Sequence, residues 1–355
     1  MTIENQRFLQ ALRCEPVDRP PIWLMRQAGR YLPEYLQTRA EAGSFMNLCR
    51  NADLASEVAM QPLRRYPLDA SILFSDILTI PDAMGLELEF VAGEGPVFNK
   101  PIRDDADIHA LPVEGVMPKL QYVFDVVRAM REKIGNKLPI IGFSGSPWTL
   151  ACYMLEGQGT RDFATARRWL WQRPEMVQLL LDRLSHQVAD YLAEQAHAGV
   201  DVLMLFDTWG GLLDEPNYRD FSLRSMHRVM QDLRDRHAVQ LPVMLFSKGC
   251  HSQVEDMIAS GCDGIGLDWR ANIDTVMQQV AGRVAVQGNL DPTSLLADED
   301  MIAPVIRARF SKVVNKPGYI FNLGHGLLPQ TNPDSVTTAI ETVHALAAEV
   351  PAAGH

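Results

Sequence analysis

Short apolar runs recur along the chain, and most of them end in a polar or glycine-rich turn that precedes an amphipathic stretch. Continuous apolar runs of this length are typical of strands buried on both faces of a sheet. We therefore predict eight strands, at residues 21–25, 70–74, 139–143, 200–206, 242–246, 263–267, 284–287 and 319–323.

The alternation of strand and helix predicts an α/β protein folded as a (β/α)8 barrel of the TIM type. No linker interrupts the pattern, so we expect a single domain over residues 1–355. A doubly wound open sheet is the main alternative, although no G-x-G-x-x-G turn follows the first strand. The first two units, residues 30–70 and 76–138, exceed a minimal unit and predict extra loops or helices over the barrel mouth.

Helix boundary signals agree with this pattern. Ser146 and Pro147 predict a capped helix over residues 148–155 that stops near Gly157. Asn332-Pro333-Asp334 predicts the start of a last helix that runs to about Glu349. Residues 165–198, rich in leucine and arginine, predict helices of the outer ring.

Composition narrows the class of protein. Hydrophobic residues make up 47% and charged residues 22%, as in soluble globular proteins, and the net charge of −11 argues against nucleic-acid binding. Five sparse cysteines favour a reducing, cytoplasmic compartment. The polar start predicts no signal peptide, and no apolar run approaches the roughly 18 residues of a membrane span.

A barrel of this kind carries its chemistry at the carboxyl ends of its strands. The residues that follow the predicted strands include cations, hydroxyls and carboxylates: Arg26, Arg30, Asp76, Ser144, Ser146, Asp207, Thr208, Lys248, Asp268, Asn289, Asp291 and His325. The cations and hydroxyls suit a ligand with carboxylates, and the aspartates suit N–H donors or a developing cation. A structural interpretation is also open, in which Asp207, Asp268 and Asp291 act as supports or caps and Lys248 pairs with one of them.

The loop after the first predicted strand is the most informative segment. Arg26 and Arg30 bracket it, and each guanidinium can bind a carboxylate through two donors. Gly29 allows close approach of the backbone to a ligand. The loop therefore suits a ligand with many carboxylates, although both arginines could instead pair with Asp or Glu in solvent.

Two further residues stand out by their context. Asp76 closely follows an apolar run that ends in Phe74; burial alone would raise its pKa, whereas N–H donors or an arginine would lower it. His325 lies between two glycines, which a packed core histidine does not require, and we expect a functional role for it.

Other chemistries fit less well. The segment Gly142-Phe143-Ser144-Gly145-Ser146 departs from the nucleophile elbow G-x-S-x-G, because serine replaces the last glycine. Cys250, His251 and Cys262 match no standard zinc spacing. The sequence has no Walker loop.

Five ordered motifs resemble the uroporphyrinogen decarboxylase family, and the resemblance runs from about residue 5 to about residue 348. The motifs are Met25-Arg26-Gln27-Ala28-Gly29-Arg30-Tyr31-Leu32-Pro33-Glu34-Tyr35, Phe74-Ser75-Asp76-Ile77-Leu78, Ile141-Gly142-Phe143-Ser144-Gly145-Ser146-Pro147-Trp148-Thr149-Leu150, Phe206-Asp207-Thr208-Trp209-Gly210-Gly211 and Phe321-Asn322-Leu323-Gly324-His325-Gly326.

The resemblance implies a cytoplasmic homodimeric carboxy-lyase of haem and tetrapyrrole synthesis that needs neither a metal nor an organic cofactor. It would convert the four acetate arms of uroporphyrinogen III to methyls, giving coproporphyrinogen III. The family's substrate loop falls on Arg26, Gln27, Ala28, Gly29 and Arg30, and its central carboxylate on Asp76. Its other substrate contacts fall on Tyr153, Thr208 and His325, with the threonine resembling the bacterial form. We expect the catalytic groups to be Asp76, Arg26, Arg30 and His325.

Two alternative functions stay open at this point. A methyltransferase of the same superfamily, acting on corrinoids or thiols, would carry a His-x-Cys pair after a middle strand and a late cysteine. Here Lys248 stands two residues before Cys250, and the last strand ends in His325. A non-catalytic tetrapyrrole carrier would need the arginines but has no obvious need for Asp76.

Overall fold

A parallel sheet organises the computed structural model, which describes residues 2–91 and 95–350. Its strands are β1 (Ser71–Ile72), β4 (Ile140–Gly145), β5 (Val202–Asp207), β6 (Val243–Ser247), β7 (Gly264–Gly266), β8 (Ala285–Gln287) and β9 (Tyr319–Ile320). Within the described residues these seven strands pair in the order β1-β4-β5-β6-β7-β8-β9, always in parallel. A separate antiparallel hairpin joins β2 (Leu88–Val91) to β3 (Gly95–Phe98).

Helices connect the strands and flank the sheet. The α-helices are α1 (Arg7–Leu12), α2 (Pro33–Glu41), α3 (Phe45–Arg50), α4 (Ala52–Arg65), α5 (Thr79–Pro81), α6 (Asp105–Ala110), α7 (Gln121–Ile134), α8 (Pro147–Glu156), α9 (Ala164–Gln172), α10 (Pro174–Ala198), α11 (Glu215–Asn217), α12 (Arg224–Asp235), α13 (Val254–Ala259), α14 (Ile273–Val280), α15 (Glu299–Phe310) and α16 (Pro333–Glu349). None of the described helices is both long and apolar enough to cross a membrane.

Seven of the eight predicted strands are confirmed, and the prediction of a strand at residues 21–25 is wrong. Within that segment only Ile22 forms a bridge, to Phe321. Side chains take the place of the missing strand partners: the Ile22 N–H donates to Asp69 Oδ2 at 2.8 Å, and the Met25 N–H donates to Asn322 Oδ1 at 2.9 Å.

The same segment links the two edges of the sheet. The Phe321 N–H, next to β9, donates to the Pro21 carbonyl at 3.0 Å. The Asp69 N–H, just before β1, donates to the Ile22 carbonyl at 2.8 Å. The observed architecture is therefore a curled parallel sheet in which residues next to both edge strands are hydrogen-bonded to residues 21–22.

The helix predictions are confirmed. Ser146 Oγ accepts from the Thr149 N–H at 3.0 Å, so α8 begins at Pro147, and it ends at Gly157, whose φ of 92° suits glycine. The predicted last helix is α16, and residues 165–198 form α9 and α10.

The long early units carry extra elements, as the sequence predicts. Helices α2, α3 and α4 follow the arginine loop, and the hairpin of β2 and β3 follows β1. The ring of Phe45 in α3 packs against Phe74 at 6.0 Å and against Phe90 of the hairpin at 4.8 Å. These elements therefore gather beside the carboxyl end of β1.

Replacement of Asp69 tests the link between the two sheet edges. Its buried carboxylate accepts from Arg19 at 2.7 and 3.0 Å, from Asn5 at 2.9 Å and from the Ile22 N–H. We expect Asp69→Ala to lower the free energy of unfolding by about 3–5 kcal/mol, because it leaves buried donors and a cation without their partner. Urea unfolding followed by circular dichroism measures this.

Asp18→Ala is the matched control. The Asp18 carboxylate pairs with Arg7 while remaining 62% exposed, so its loss should change stability by less than about 1 kcal/mol. Equal effects of the two substitutions would contradict a special role for Asp69.

Candidate active site

The carboxyl ends of the parallel strands bring together five groups of the predicted site region. The charges of Arg26, Asp76 and Tyr153 act on one another, and the charge of Arg26 also acts on Lys248 and His325. These residues come from the segment before α2, from the turns after β1, β6 and β9, and from α8.

Arg26 is held in an unusual backbone conformation. Its φ is 63°, in the left-handed region that costs a residue with a side chain about 1–2 kcal/mol. The Leu327 N–H donates to the Met25 carbonyl at 2.9 Å and ties the loop to the turn after β9. The Arg26 side chain crosses Gly326 so closely that a Cβ there would lie 2.3 Å from Arg26 Cδ. The fold thus directs this guanidinium toward the strand ends.

Neither loop arginine is neutralised by a carboxylate. Among the described residues, no Asp or Glu lies within ion-pair distance of Arg26 or Arg30. Within the described residues, the alternative that both arginines pair with Asp or Glu is therefore wrong. Burial among protein atoms lowers the pKa of Arg26, as does the charge of Arg30, while Asp76 and Tyr153 oppose this.

The residues between the two arginines divide into two groups. Gln27 is buried; its Oε1 accepts from the Leu24 N–H at 3.1 Å and its Nε2 donates to the Ala70 carbonyl at 3.3 Å. By contrast, the N–H groups of Ala28, Gly29 and Arg30 have no acceptor within the described part of the chain. Gly29 also serves the loop itself, since a Cβ there would lie 2.9 Å from the Arg26 carbonyl oxygen.

Asp76 is the carboxylate that faces these cations. Its Oδ1 accepts from the Leu78 N–H at 2.8 Å. Burial raises the pKa of Asp76, and the Leu78 N–H and the charge of Arg26 partly offset that rise. This matches the expectation from the sequence for a desolvated carboxyl group.

Tyr153 and Thr208 approach from neighbouring elements. Tyr153 lies on α8, and its ring packs against Phe163 at 5.2 Å and Trp209 at 6.3 Å. Burial raises the pKa of Tyr153, so its phenol stays protonated at neutral pH and can donate a hydrogen bond. Thr208 is half-buried and directly follows β5.

His325 lies in the turn after β9, with its ring 6.1 Å from that of Phe246. Burial lowers its pKa to about 3, with further lowering by the charges of Arg26 and Lys248 and an opposing effect of Asp268. The imidazole is therefore neutral at physiological pH, with one N–H donor and one acceptor nitrogen.

The structural interpretation of Asp207 is confirmed. Its buried carboxylate accepts hydroxyl hydrogen bonds from Ser146 at 2.7 Å, Ser222 at 2.7 Å, Ser247 at 2.8 Å and Thr149 at 3.2 Å. Burial raises the pKa of Asp207, and the four hydroxyls oppose the rise. Asp207 thus holds together the ends of β5 and β6 and the start of α8.

Asp268 and Asp291 also have structural partners. Asp268 Oδ2 accepts from Arg270 at 2.8 Å and from the Gly249 N–H at 2.5 Å. Burial alone would raise the pKa of Asp268, but Arg270 and the backbone donors outweigh it and lower that pKa. Asp291 accepts from the N–H and the hydroxyl of Thr293 at 2.9 and 2.8 Å, which caps a short helical turn.

The interpretation in which Lys248 pairs with an aspartate is not confirmed. Within the described residues it makes no ion pair with an aspartate; instead its Nζ lies 5.7 Å from the ring of Trp209 and 5.7 Å from that of Trp269. The sequence carries a signal for both tryptophans, since each follows closely after a strand-end aspartate, Asp207 or Asp268.

Comparison with known proteins agrees with the motifs. The family model described as uroporphyrinogen decarboxylase (URO-D) matches residues 3–346. The uroporphyrinogen decarboxylase of Legionella pneumophila (strain Paris) is 50% identical over 342 residues, covering 96% of this chain and 97% of the relative. The chain belongs to the uroporphyrinogen decarboxylase family. The family's enzyme from Chromohalobacter salexigens is also 50% identical, over 98% of each chain.

Solved structures agree on the fold. A methyltransferase from Methanosarcina mazei superposes with a TM-score of 0.80 over 97% of this chain and 99% of that chain, at 19% identity. At that identity the likeness concerns the fold alone. Among the described residues, no three His, Cys, Asp or Glu side chains are grouped as metal ligands.

Gly326→Ala tests whether the close contact with Gly326 sets the orientation of the Arg26 side chain. The added Cβ would displace the Arg26 side chain, so we expect kcat/KM for the family's substrate to fall about 10- to 100-fold while the melting temperature changes little. Gly159→Ala is the control, because a Cβ there meets its nearest neighbour at an ordinary 3.6 Å. Unchanged kinetics of Gly326→Ala would contradict the importance of this Arg26 orientation for catalysis.

Proposed function

We propose that this chain decarboxylates the four acetate arms of uroporphyrinogen III to methyls and so forms coproporphyrinogen III. The observation that carries the proposal is the placement of Asp76. The charge of this carboxylate acts on the Arg26 guanidinium, which has no ion-pair partner in the described part of the chain, and both residues lie within the family's matched region.

The chemistry of the substrate fits this arrangement. Uroporphyrinogen has carboxylates all round its rim and pyrrole N–H donors at its centre. Arg26, Arg30 and the backbone N–H groups of residues 28–30 suit the rim carboxylates. An ionised Asp76 suits the pyrrole N–H donors, and accepting them would favour its charged form.

Loss of carbon dioxide needs a sink for the electron pair of the breaking carbon–carbon bond. In the proposed reaction a pyrrole ring carbon is first protonated, which makes the ring a cation. The bond to the carboxylate then breaks, its electrons neutralise the ring, and an exocyclic methylene forms. Protonation of that methylene gives the methyl group, and loss of the added ring proton restores the pyrrole.

Each residue of the site would then have its own role in this reaction. Asp76 stabilises the cationic pyrrole electrostatically. Arg26 and Arg30 anchor acetate or propionate arms, and Tyr153 and Thr208 orient carboxylates. Neutral His325 binds a carboxylate or passes a proton, since it has both a donor and an acceptor nitrogen.

The proposal includes a closed barrel and a dimer. Residues 21–25 would stand in the eighth strand position of a (β/α)8 barrel, because residues 21–22 bond to both sheet edges. The whole chain, residues 1–355, would form this one domain. The homodimer and the cytoplasmic location, which the resemblance implies, stay predictions.

One assay tests the function against its alternatives. The purified protein is incubated without oxygen and without added cofactor with uroporphyrinogen III, and the oxidised products are separated by carboxyl count. We expect a progression from eight carboxyls to four. Unchanged substrate that is still bound would favour the carrier, and neither binding nor turnover would favour the methyltransferase and call for a zinc assay.

Asp76→Asn tests the electrostatic role, because it keeps the shape of the side chain and removes its charge. We expect kcat to fall by about 10²–10³-fold, the range for loss of one preorganised electrostatic group. Asp291→Asn is the control, since Asp291 only caps a turn. Near-normal turnover by Asp76→Asn, measured by the same chromatography, would contradict the role.

The pH dependence follows from the raised pKa of Asp76. The reaction needs the ionised form, so kcat/KM should fall with decreasing pH at a higher pH than an ordinary aspartate would give. Bound pyrrole N–H donors favour the carboxylate, so the acid limb of kcat should lie below that of kcat/KM. Coincident acid limbs, or an unshifted one, would contradict this assignment.

A further inference from the structure

We propose that Lys248, held between the rings of Trp209 and Trp269, is an additional binding site for a rim carboxylate of the substrate. The proposal rests on the proposed function, since it supposes a ligand with several carboxylates in the same pocket. It assigns to Lys248 a role in affinity rather than in the chemical step.

The first argument is the state of the ammonium group. Its Nζ lies 5.7 Å from the centre of each tryptophan ring, and aromatic faces attract a cation without neutralising it. Asp268, whose negative charge acts on Lys248, is already bonded to Arg270 and to the Gly249 N–H. Lys248 therefore keeps a positive charge that no side chain in the described ranges pairs with.

The second argument is that the lysine is built into a rigid frame. Its N–H donates to the Asp207 carbonyl at 3.1 Å, and its carbonyl accepts from the Gly211 N–H at 3.0 Å. The backbones of both tryptophans are held as well: Trp148 Nε1 donates to the Trp209 carbonyl at 3.1 Å, and Arg309 donates to the Trp269 carbonyl at 2.8 Å. The Trp209 ring also packs against Phe163, with 4.7 Å between the ring centres. A surface lysine with no ligand to bind would need none of this.

The third argument is its location. Lys248 Nζ lies 5.7 Å from the ring of Trp209, which in turn packs 6.3 Å from the ring of Tyr153, so the ammonium group lies one ring away from a predicted site residue. Burial lowers the pKa of Lys248, with further lowering by the charges of Arg270 and Arg26 and an opposing effect of Asp268. An anionic ligand would relieve the repulsion among these cations, which favours a carboxylate over a neutral or cationic group.

The experiment compares Lys248→Met with Lys248→Arg and uses Lys312→Met as the matched control. Lys312 is 78% exposed and lies outside the pocket. We expect Lys248→Met to raise KM for uroporphyrinogen about 10- to 100-fold with little change in kcat, as for the loss of one charged hydrogen bond. Lys248→Arg should restore most of the affinity, and Lys312→Met should behave as the unaltered protein.

Two further readouts separate binding from mere structural support. The dependence of KM on salt concentration should be weaker in Lys248→Met, because one charge contact is gone. Binding of the four-carboxylate product to Lys248→Met then distinguishes the two kinds of arm. If product and substrate lose affinity equally, Lys248 binds a propionate. If only the substrate loses affinity, Lys248 binds an acetate.

The results that would overturn this inference differ from those that would overturn the proposed function. An unchanged KM in Lys248→Met overturns the inference, as does a fall in kcat and melting temperature that Lys248→Arg does not repair. If the unaltered protein itself forms no product, the proposed function fails, and that outcome is separate from any effect of Lys248.

Discussion

Two buried polar side chains, Asp69 and Asn322, fix the short segment on which the rest of the site depends. Asp69 accepts from the Ile22 N–H, and Asn322 accepts from the Met25 N–H at the other end. With both ends held, the chain can enter the left-handed conformation at Arg26, which an unsupported loop would avoid.

Electrostatic selection follows from that geometry. The chain has a net charge of −11, so a ligand with many carboxylates is repelled over most of the surface and attracted only locally. The buried aspartates near the pocket do not cancel this attraction, because hydroxyls hold Asp207 and Arg270 holds Asp268. Asp76 differs from them, because among the described residues its carboxylate accepts only from the Leu78 N–H.

Periodicity and end signals in the sequence predicted most of the fold, because buried parallel strands and capped helices leave local marks. The runs at 200–206 and 242–246 became β5 and β6, and the Ser146 cap became the start of α8. The run at 21–25 has the same local pattern as the strands. Its N–H groups instead donate to the side chains of Asp69 and Asn322, which are distant in sequence. Local sequence also did not predict the contacts of Gln27 and Lys248. Gln27 is buried and donates to the Ala70 carbonyl, and Lys248 lies between two tryptophan rings rather than against an aspartate.

The cations that lie together at the carboxyl ends of the strands repel one another, and this repulsion affects the chemistry of the site. Burial lowers the pKa of His325, and the charges of Arg26 and Lys248 lower it further, so the histidine can donate or accept a proton but does not serve as another fixed charge. Their mutual repulsion is relieved only when anionic groups enter. In the proposed function, a substrate that carries carboxylates at its rim and N–H donors at its centre would complete both halves of the site at once. Affinity and placement over Asp76 would then be parts of the same electrostatic arrangement.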